Sequence, residues 1–166
     1  MEFSSLDEYF MRRAMDLASD AEREGEIPVG AVLVRQNRIL SEGKNTSISS
    51  HDPTAHAEIR AIRDAGAILG NYRLTDTTIY VTLEPCAMCA GALLHSRVSR
   101  IVYGASDQKA GAAGTVLNVL KSPVAYHHAD INPGLLGAQC RSQLITFFRR
   151  RRKEKKLKNK NDTNDT

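Results

Sequence analysis

Two short segments bring together residue types that bind metals and move protons: His56-Ala57-Glu58 and Pro85-Cys86-Ala87-Met88-Cys89. Cys86 and Cys89 are three residues apart, so on a first helical turn both thiols lie on one face and point at a single locus. The free N–H groups and dipole of such a turn favour thiolate over thiol, the form a metal ligand must take. Zinc takes four protein ligands in structural sites but three in catalytic ones, where water holds the remaining position. His56 is the natural third ligand. Glu58 lies two residues further on, roughly 200° around an ideal helix, and so does not share the His56 stripe. That makes it a poor fourth ligand, but one able to reach a metal-bound water from the side. Two plainer readings stand beside this one. Cys140 could close a structural Cys₃His site, and Glu58 could be an ordinary exposed helix acid.

The elements that must position these residues can be read from the hydrophobic pattern. Ser5-Leu6-Asp7-Glu8 has the form of a capping box, after which Phe10, Ala14, Leu17, Ala18 and Ala21 recur at helical spacing until Gly25. Val29 to Val34 and Arg38 to Glu42 flank Arg35-Gln36-Asn37 and predict a hairpin. Asp52-Pro53 predicts a helix start, with helix over Thr54 to Ala67. A β-branched run, Thr77 to Leu83, precedes a helix-like stretch from Cys86 to His95, and Arg100 to Tyr103 makes another short strand. A glycine-rich loop over Gly104 to Gly114 follows, then weak helix signals near Val116 to Leu120. A last helix runs from about Gly137 into the C-terminal tail. Strands alternating with helices predict an α/β layered sheet with helices on both faces.

The chain has 166 residues, enough for one domain with its own core. At 42% apolar and 25% charged it has ordinary globular composition. The longest run without Asp, Glu, Lys or Arg is Pro85 to Ser96, 12 residues, short of the roughly 20 needed to span a membrane. The acidic first residues do not resemble a secretory signal, so a cytoplasmic location is expected. Three cysteines do not make a disulfide framework. The net charge of +4 hides an asymmetry: residues 149–166 hold nine Lys/Arg against three acids, while the rest holds 14 against 16. A basic arm on a near-neutral body suits a polyanion; its plainer reading is a solvated terminus. Residues 1–152 are expected to form the domain, and 153–166 a frayed basic tail. No phosphate-binding or dinucleotide-binding glycine motif occurs.

H-x-E followed by P-C-x-x-C is the signature of zinc-dependent nucleobase deaminases. Beyond it, Ile27 to Val32, Asp52 to Glu58, Thr82 to Ala92 and Gly111 to Gly114 resemble the bacterial tRNA-specific adenosine deaminases, the TadA type, over roughly residues 5 to 152. The resemblance implies a cytidine deaminase-like fold, a three-layer α/β/α sandwich with a mixed five-stranded sheet. It also implies conversion of adenosine to inosine at the wobble position of a tRNA anticodon, by a homodimer with one zinc per subunit. Two positions depart from the family's usual loop: Ser106 stands where an Arg is common, and Thr115 where a Ser is common.

The resemblance assigns roles residue by residue. His56, Cys86 and Cys89 are the zinc ligands, and Glu58 is the catalytic proton carrier. Asn45 matches an Asn used against the base, and Asp107 a loop acid near a neighbouring ribose. Phe148 and Arg151 match terminal-helix positions near the nucleic acid. Backbone N–H groups at Ala57 and Cys86 are candidates to polarise the developing alkoxide. Asn45 could instead be a turn residue and Asp107 a loop cap. Two other classes compete with the RNA deaminase: the same chemistry on a free base or nucleoside, and a zinc-stabilised RNA-binding module without catalysis.

Overall fold

The structure, a computed structural model, describes residues 2–164, so the last two positions of the basic tail lie outside the described residues. The chain runs α1 (Ser5–Arg23), β1 (Gly30–Arg35), β2 (Arg38–Lys44), α2 (Ala57–Leu69), β3 (Thr77–Leu83), α3 (Ala87–His95), β4 (Arg100–Ala105), β5 (Asp130–Pro133) and α4 (Gly137–Asn164). The strands form one mixed sheet in the order β2-β1-β3-β4-β5. β1 is antiparallel to β2 and β3, and β3, β4 and β5 are parallel. α1 and α4 cover one face, α2 and α3 the other, which is the three-layer sandwich expected.

The period of two along each strand divides the core. Leu33, Ile79, Val81, Ile101 and Tyr103 point toward α2 and α3, while Val32, Val34, Tyr80 and Val102 point toward α1 and α4. Two glycines set how closely helices approach the sheet. A Cβ on Gly30 would collide with the Ala14 carbonyl in α1, and one on Gly43 with the Ala57 carbonyl at the start of α2. The hairpin closes on Gln36 and Asn37, both at positive φ (51° and 58°), as a two-residue turn between twisted strands requires.

Several boundaries differ from the sequence expectation. The first capping box begins at Ser4 rather than Ser5, with Asp7 in the return position: the Ser4 hydroxyl accepts from the Asp7 N–H at 3.1 Å, and the Asp7 carboxylate accepts from the Ser4 N–H at 2.9 Å. The second helix starts at Ala57, not Thr54, because Asp52 Oδ1 accepts from the Thr54 N–H and hydroxyl and makes a local turn that competes with helix. Val116 to Leu120 is loop. The Val116 and Leu117 N–H groups donate to the Gly111 carbonyl, and Ala113 bridges Asn118. β5, too short to show an alternation, is the fifth strand that only the resemblance implied. The frayed tail expected from residue 153 is instead a continuation of α4 to Asn164. That segment has no Gly or Pro and is rich in Lys and Arg, both good helix formers, and Arg150 pairs with Glu154 one turn on.

Asp7 ties α1 to the sheet. Its Oδ1 accepts from the Tyr80 hydroxyl and from Arg100 Nη1, each at 2.7 Å. Burial alone would raise its pKa, but the bonds from Arg100, Tyr80 and the Ser4 N–H outweigh burial and hold the carboxyl below the usual carboxylate range. Arg100 keeps 29% of its side chain exposed. Asp7→Asn is therefore expected to cost about 2–3 kcal/mol at neutral pH, at or below the range for breaking a fully buried pair. The wild-type contribution is present above the ordinary value of 3.8 and is lost as pH falls through the lower folded value. Urea unfolding should therefore show the two proteins converging in acid; a gap that stays constant would place the effect in packing rather than charge.

Candidate metal centre and active site

Because β1 runs against β2 and β3, one end of the sheet collects the entry to β1 and the exits of β2, β3 and β4. Ile27 and Val29, Asn45, Leu83 and Glu84, and Ser106 and Asp107 come from these four places and line one cavity of about 460 Å³. This is where open α/β sheets bind ligands, beyond the carboxyl ends of parallel strands. α2 and α3 both begin here, with His56 and Cys86 as their N-cap residues. Neither side chain caps its own helix, which leaves the imidazole and the thiol to face each other.

His56 Nδ1 lies 3.7 Å from Cys86 Sγ and 3.5 Å from Cys89 Sγ, and the three donor atoms all fall within 4.8 Å of one another. A tetrahedral zinc with Zn–S near 2.3 Å and Zn–N near 2.0 Å puts sulfur and nitrogen about 3.5 Å apart, so the trio fits that ion without rearrangement. The hydrogen bond with Cys89, and then that with His56, overcome burial and draw the Cys86 thiol down to about 4. The same bond and burial push Cys89 up, and the bond to Cys86 raises His56. Two sulfurs and a nitrogen thus compete for too few protons, a donor set suited to a cation. Cys140 is not among them: it is buried beside Gly104 in the core beneath α4, across the sheet, so the closed four-ligand alternative has no fourth ligand there.

Glu58 is buried, 4% exposed, and lines the cavity beside the trio. Burial pushes its carboxyl up to about 7, against its own backbone N–H and the His56 charge, which lower it. It is neither an exposed helix acid nor a member of the ligand cluster. The two-residue offset from His56 puts it on the cavity side, with a carboxyl able to hold or release a proton near neutrality.

The remaining sequence-predicted residues separate into two groups. Asn45 is buried and lines the cavity; its Oδ1 accepts the Ala57 N–H at 2.8 Å, so its NH₂ end remains for a ligand. That bond commits the Ala57 N–H, which is therefore not free to meet a substrate; Ala57 is fully buried. Asp107 also lines the cavity, and its Oδ1 caps the loop by accepting the Lys109 and Ala110 N–H groups at 2.9 and 3.2 Å. Both readings of Asp107 thus hold in one residue. Phe148 forms part of the cavity wall while remaining 42% exposed. Arg151 stands outside the cavity, next to Phe148 along α4.

Two buried carboxylates that the sequence reading left without a role hold the walls. Glu84, 2% exposed, accepts from the Asp107, Ala113 and Thr115 N–H groups at 2.9, 3.0 and 3.1 Å and from the Thr115 hydroxyl at 2.5 Å. It thereby fixes the loop after β4 to the residue that precedes the Pro85-Cys86 ligand segment. Thr115 supplies the same hydroxyl a serine would. Glu26 accepts the Ile48 and Ser49 N–H groups at 3.2 and 2.7 Å and pins the loop after Asn45. The signal for Glu84 was available: a lone acid closing the apolar run from Thr77 to Leu83 must be either solvated or fully bonded.

Comparison with known proteins agrees with this geometry. Residues 4–105 match the model of the cytidine and deoxycytidylate deaminase zinc-binding region. A tRNA-specific adenosine deaminase of Haemophilus influenzae is 52% identical over 155 residues, covering 93% of this chain and 90% of that protein. One of Bacillus subtilis is 44% identical over 155 residues, covering 93% and 96%. A solved structure from work on A-to-I editing by tRNA:A34 deaminases superposes with a TM-score of 0.80 at 40% identity, covering 82% of this chain and 99% of that one. With its ligand trio, buried glutamate and sheet order in place, the chain belongs to the cytidine and deoxycytidylate deaminase family of zinc-binding proteins, in the branch of the tRNA-specific adenosine deaminases.

Proposed function

We propose that this protein hydrolytically deaminates adenosine to inosine at the wobble position of a tRNA anticodon, with residues 1–152 as the deaminase domain. The observation that carries this is the buried Glu58 beside the His56, Cys86 and Cys89 donors at the floor of a cavity walled by Asn45, Asp107 and Phe148. A zinc ion held by the trio would make hydroxide available at neutral pH by lowering the pKa of bound water to about 7. Glu58 takes the proton of the attacking water, delivers it to adenine N1, and protonates the departing ammonia. The NH₂ of Asn45 donates to a ring nitrogen, and its oxygen is kept in place by Ala57. The Asp107 oxygen not used as a loop cap accepts from a ribose 2′-OH. Phe148 stacks on a base at the mouth while Arg151 meets a phosphate.

Homodimer formation with one zinc per subunit and a cytoplasmic location complete the proposal. Among the described residues no helix is long and apolar enough to cross a membrane. The cavity opens onto a loop and a basic helix, which a free base or nucleoside would not use. Incubation with an anticodon stem-loop, free adenosine, cytidine and guanine tests the assignment. Inosine at the first anticodon position is the expected product, and preferential turnover of a free base or nucleoside would overturn it.

Glu58→Ala is expected to keep fold and zinc but lose at least about two orders of magnitude in rate, the usual contribution of a positioned acid/base group. Loss of metal from that variant would show that Glu58 ligates. Cys86→Ser and Cys89→Ser should each empty the site and Cys140→Ser should not, as metal analysis of the purified proteins will show. Asp107→Asn keeps the oxygen that caps the loop but removes the charge. It is expected to narrow the preference for ribose over deoxyribose hairpins in kcat/KM; an unchanged ratio would leave Asp107 a loop cap alone.

A further inference from the structure

Leu144 and Phe148 line the cavity, and the same face of α4 continues past them into solvent. At 100° per residue Leu144, Phe148, Arg151, Lys155 and Lys158 fall within about 80° of one another, with Arg152 flanking the stripe. Phe148, Arg151, Arg152, Lys155 and Lys158 together line a groove, interrupted by the single acid Glu154. Phe148 belongs to both hollows, so groove and cavity meet at its ring.

Nothing in the fold accounts for this row of charge. Every residue from 148 to 162 is exposed, so the segment adds no core. Like charges three and four residues apart weaken a helix rather than support it. Arg150 is paired with Glu22 and Glu154, and Arg151 lies 3.9 Å from Glu154. Among the described residues Arg152, Lys155 and Lys158 have no ion pair and no hydrogen bond, and they are not held by the body of the protein. From Phe148 to Lys158 the stripe is about 15 Å long, the reach of several nucleotides rather than of one small anion.

We infer that this stripe is a docking track for the sugar-phosphate backbone of the substrate RNA where it leaves the active site toward the anticodon stem. The inference rests on the deaminase reading for the identity of the polyanion, and on the shared Phe148 for its direction. An edited base in the cavity places its own strand at the mouth, where the aromatic ring gives way to cations. The chemistry stays with the cavity and the affinity is drawn from the helix, so the track acts on KM and leaves kcat alone.

The test compares full-length wild type with Arg152→Ala/Lys155→Ala/Lys158→Ala on two RNAs, an anticodon stem-loop and its loop sequence alone. Alanine preserves helix, and a matching far-UV spectrum and melting temperature verify this. Each lost phosphate contact lowers the log–log salt slope of binding by about 0.7–0.9, so two or three contacts lower it by about 1.4–2.7. The variant is expected to bind the stem-loop at least about tenfold more weakly at low salt with that shallower slope. Its KM for the loop oligonucleotide should change little, and its kcat on both RNAs should match wild type. Lys155→Arg/Lys158→Arg, which keeps the charge, should bind as wild type does. Equal affinity and slope on the stem-loop would overturn the inference, as would an equal loss on both RNAs, since the contacts would then not lie toward the stem. Failure of the wild type to form inosine in either RNA would instead overturn the deaminase reading.

Discussion

Three donor atoms must be held to within tenths of an ångström if they are to share one cation, and that requirement governs the architecture around them. His56 and Cys86 occupy the N-cap positions of two helices that start side by side at one end of the sheet, and Cys89 completes the first turn of the second. Rigid elements supply this precision better than loops do. The approach of α2 depends on Gly43, which lets the helix start rest on the backbone of β2, and the position of Cys86 depends on the register of β3 between two neighbours. The central strand and both helix starts are thus parts of the metal centre.

Four buried carboxylates share this molecule, and their surroundings separate their roles. Asp7, Glu26 and Glu84 each accept several hydrogen bonds and act as ties: Asp7 between α1 and the sheet, the other two between a loop and the frame beneath it. Glu58 is as deeply buried but bonds only locally, so burial dominates and its carboxyl rises toward neutrality while the pKa of Asp7 falls. A buried acid that is fully bonded is structural. One left partly unsatisfied beside a cation site can carry protons.

α4 changes character along its length. Cys140 and Phe147 are core, Leu144 and Phe148 wall the cavity, and beyond Phe148 every residue through 162 faces solvent. One continuous helix thereby links the hydrophobic core, the mouth of the active site and a row of cations. Separate segments joined by a loop could not keep those three in a fixed order.

The sequence by itself determined the chemistry and most of the elements, because both are written in local spacing. H-x-E and C-x-x-C set which side chains could share a metal, the strand and helix periods gave four of five strands, and the arm's basicity was plain in its count. Tertiary structure decided what spacing cannot encode. It placed Cys140 across the sheet from the trio, committed the Ala57 N–H to Asn45, moved the second helix start to His56, and turned Glu84 into the anchor of the loop after β4. Each of these depends on partners tens of residues away or on local competition between a turn and a helix. The stripe along α4 lies between the two: its residues are spaced legibly in the sequence, yet only the helix running unbroken from the cavity wall sets them in one line.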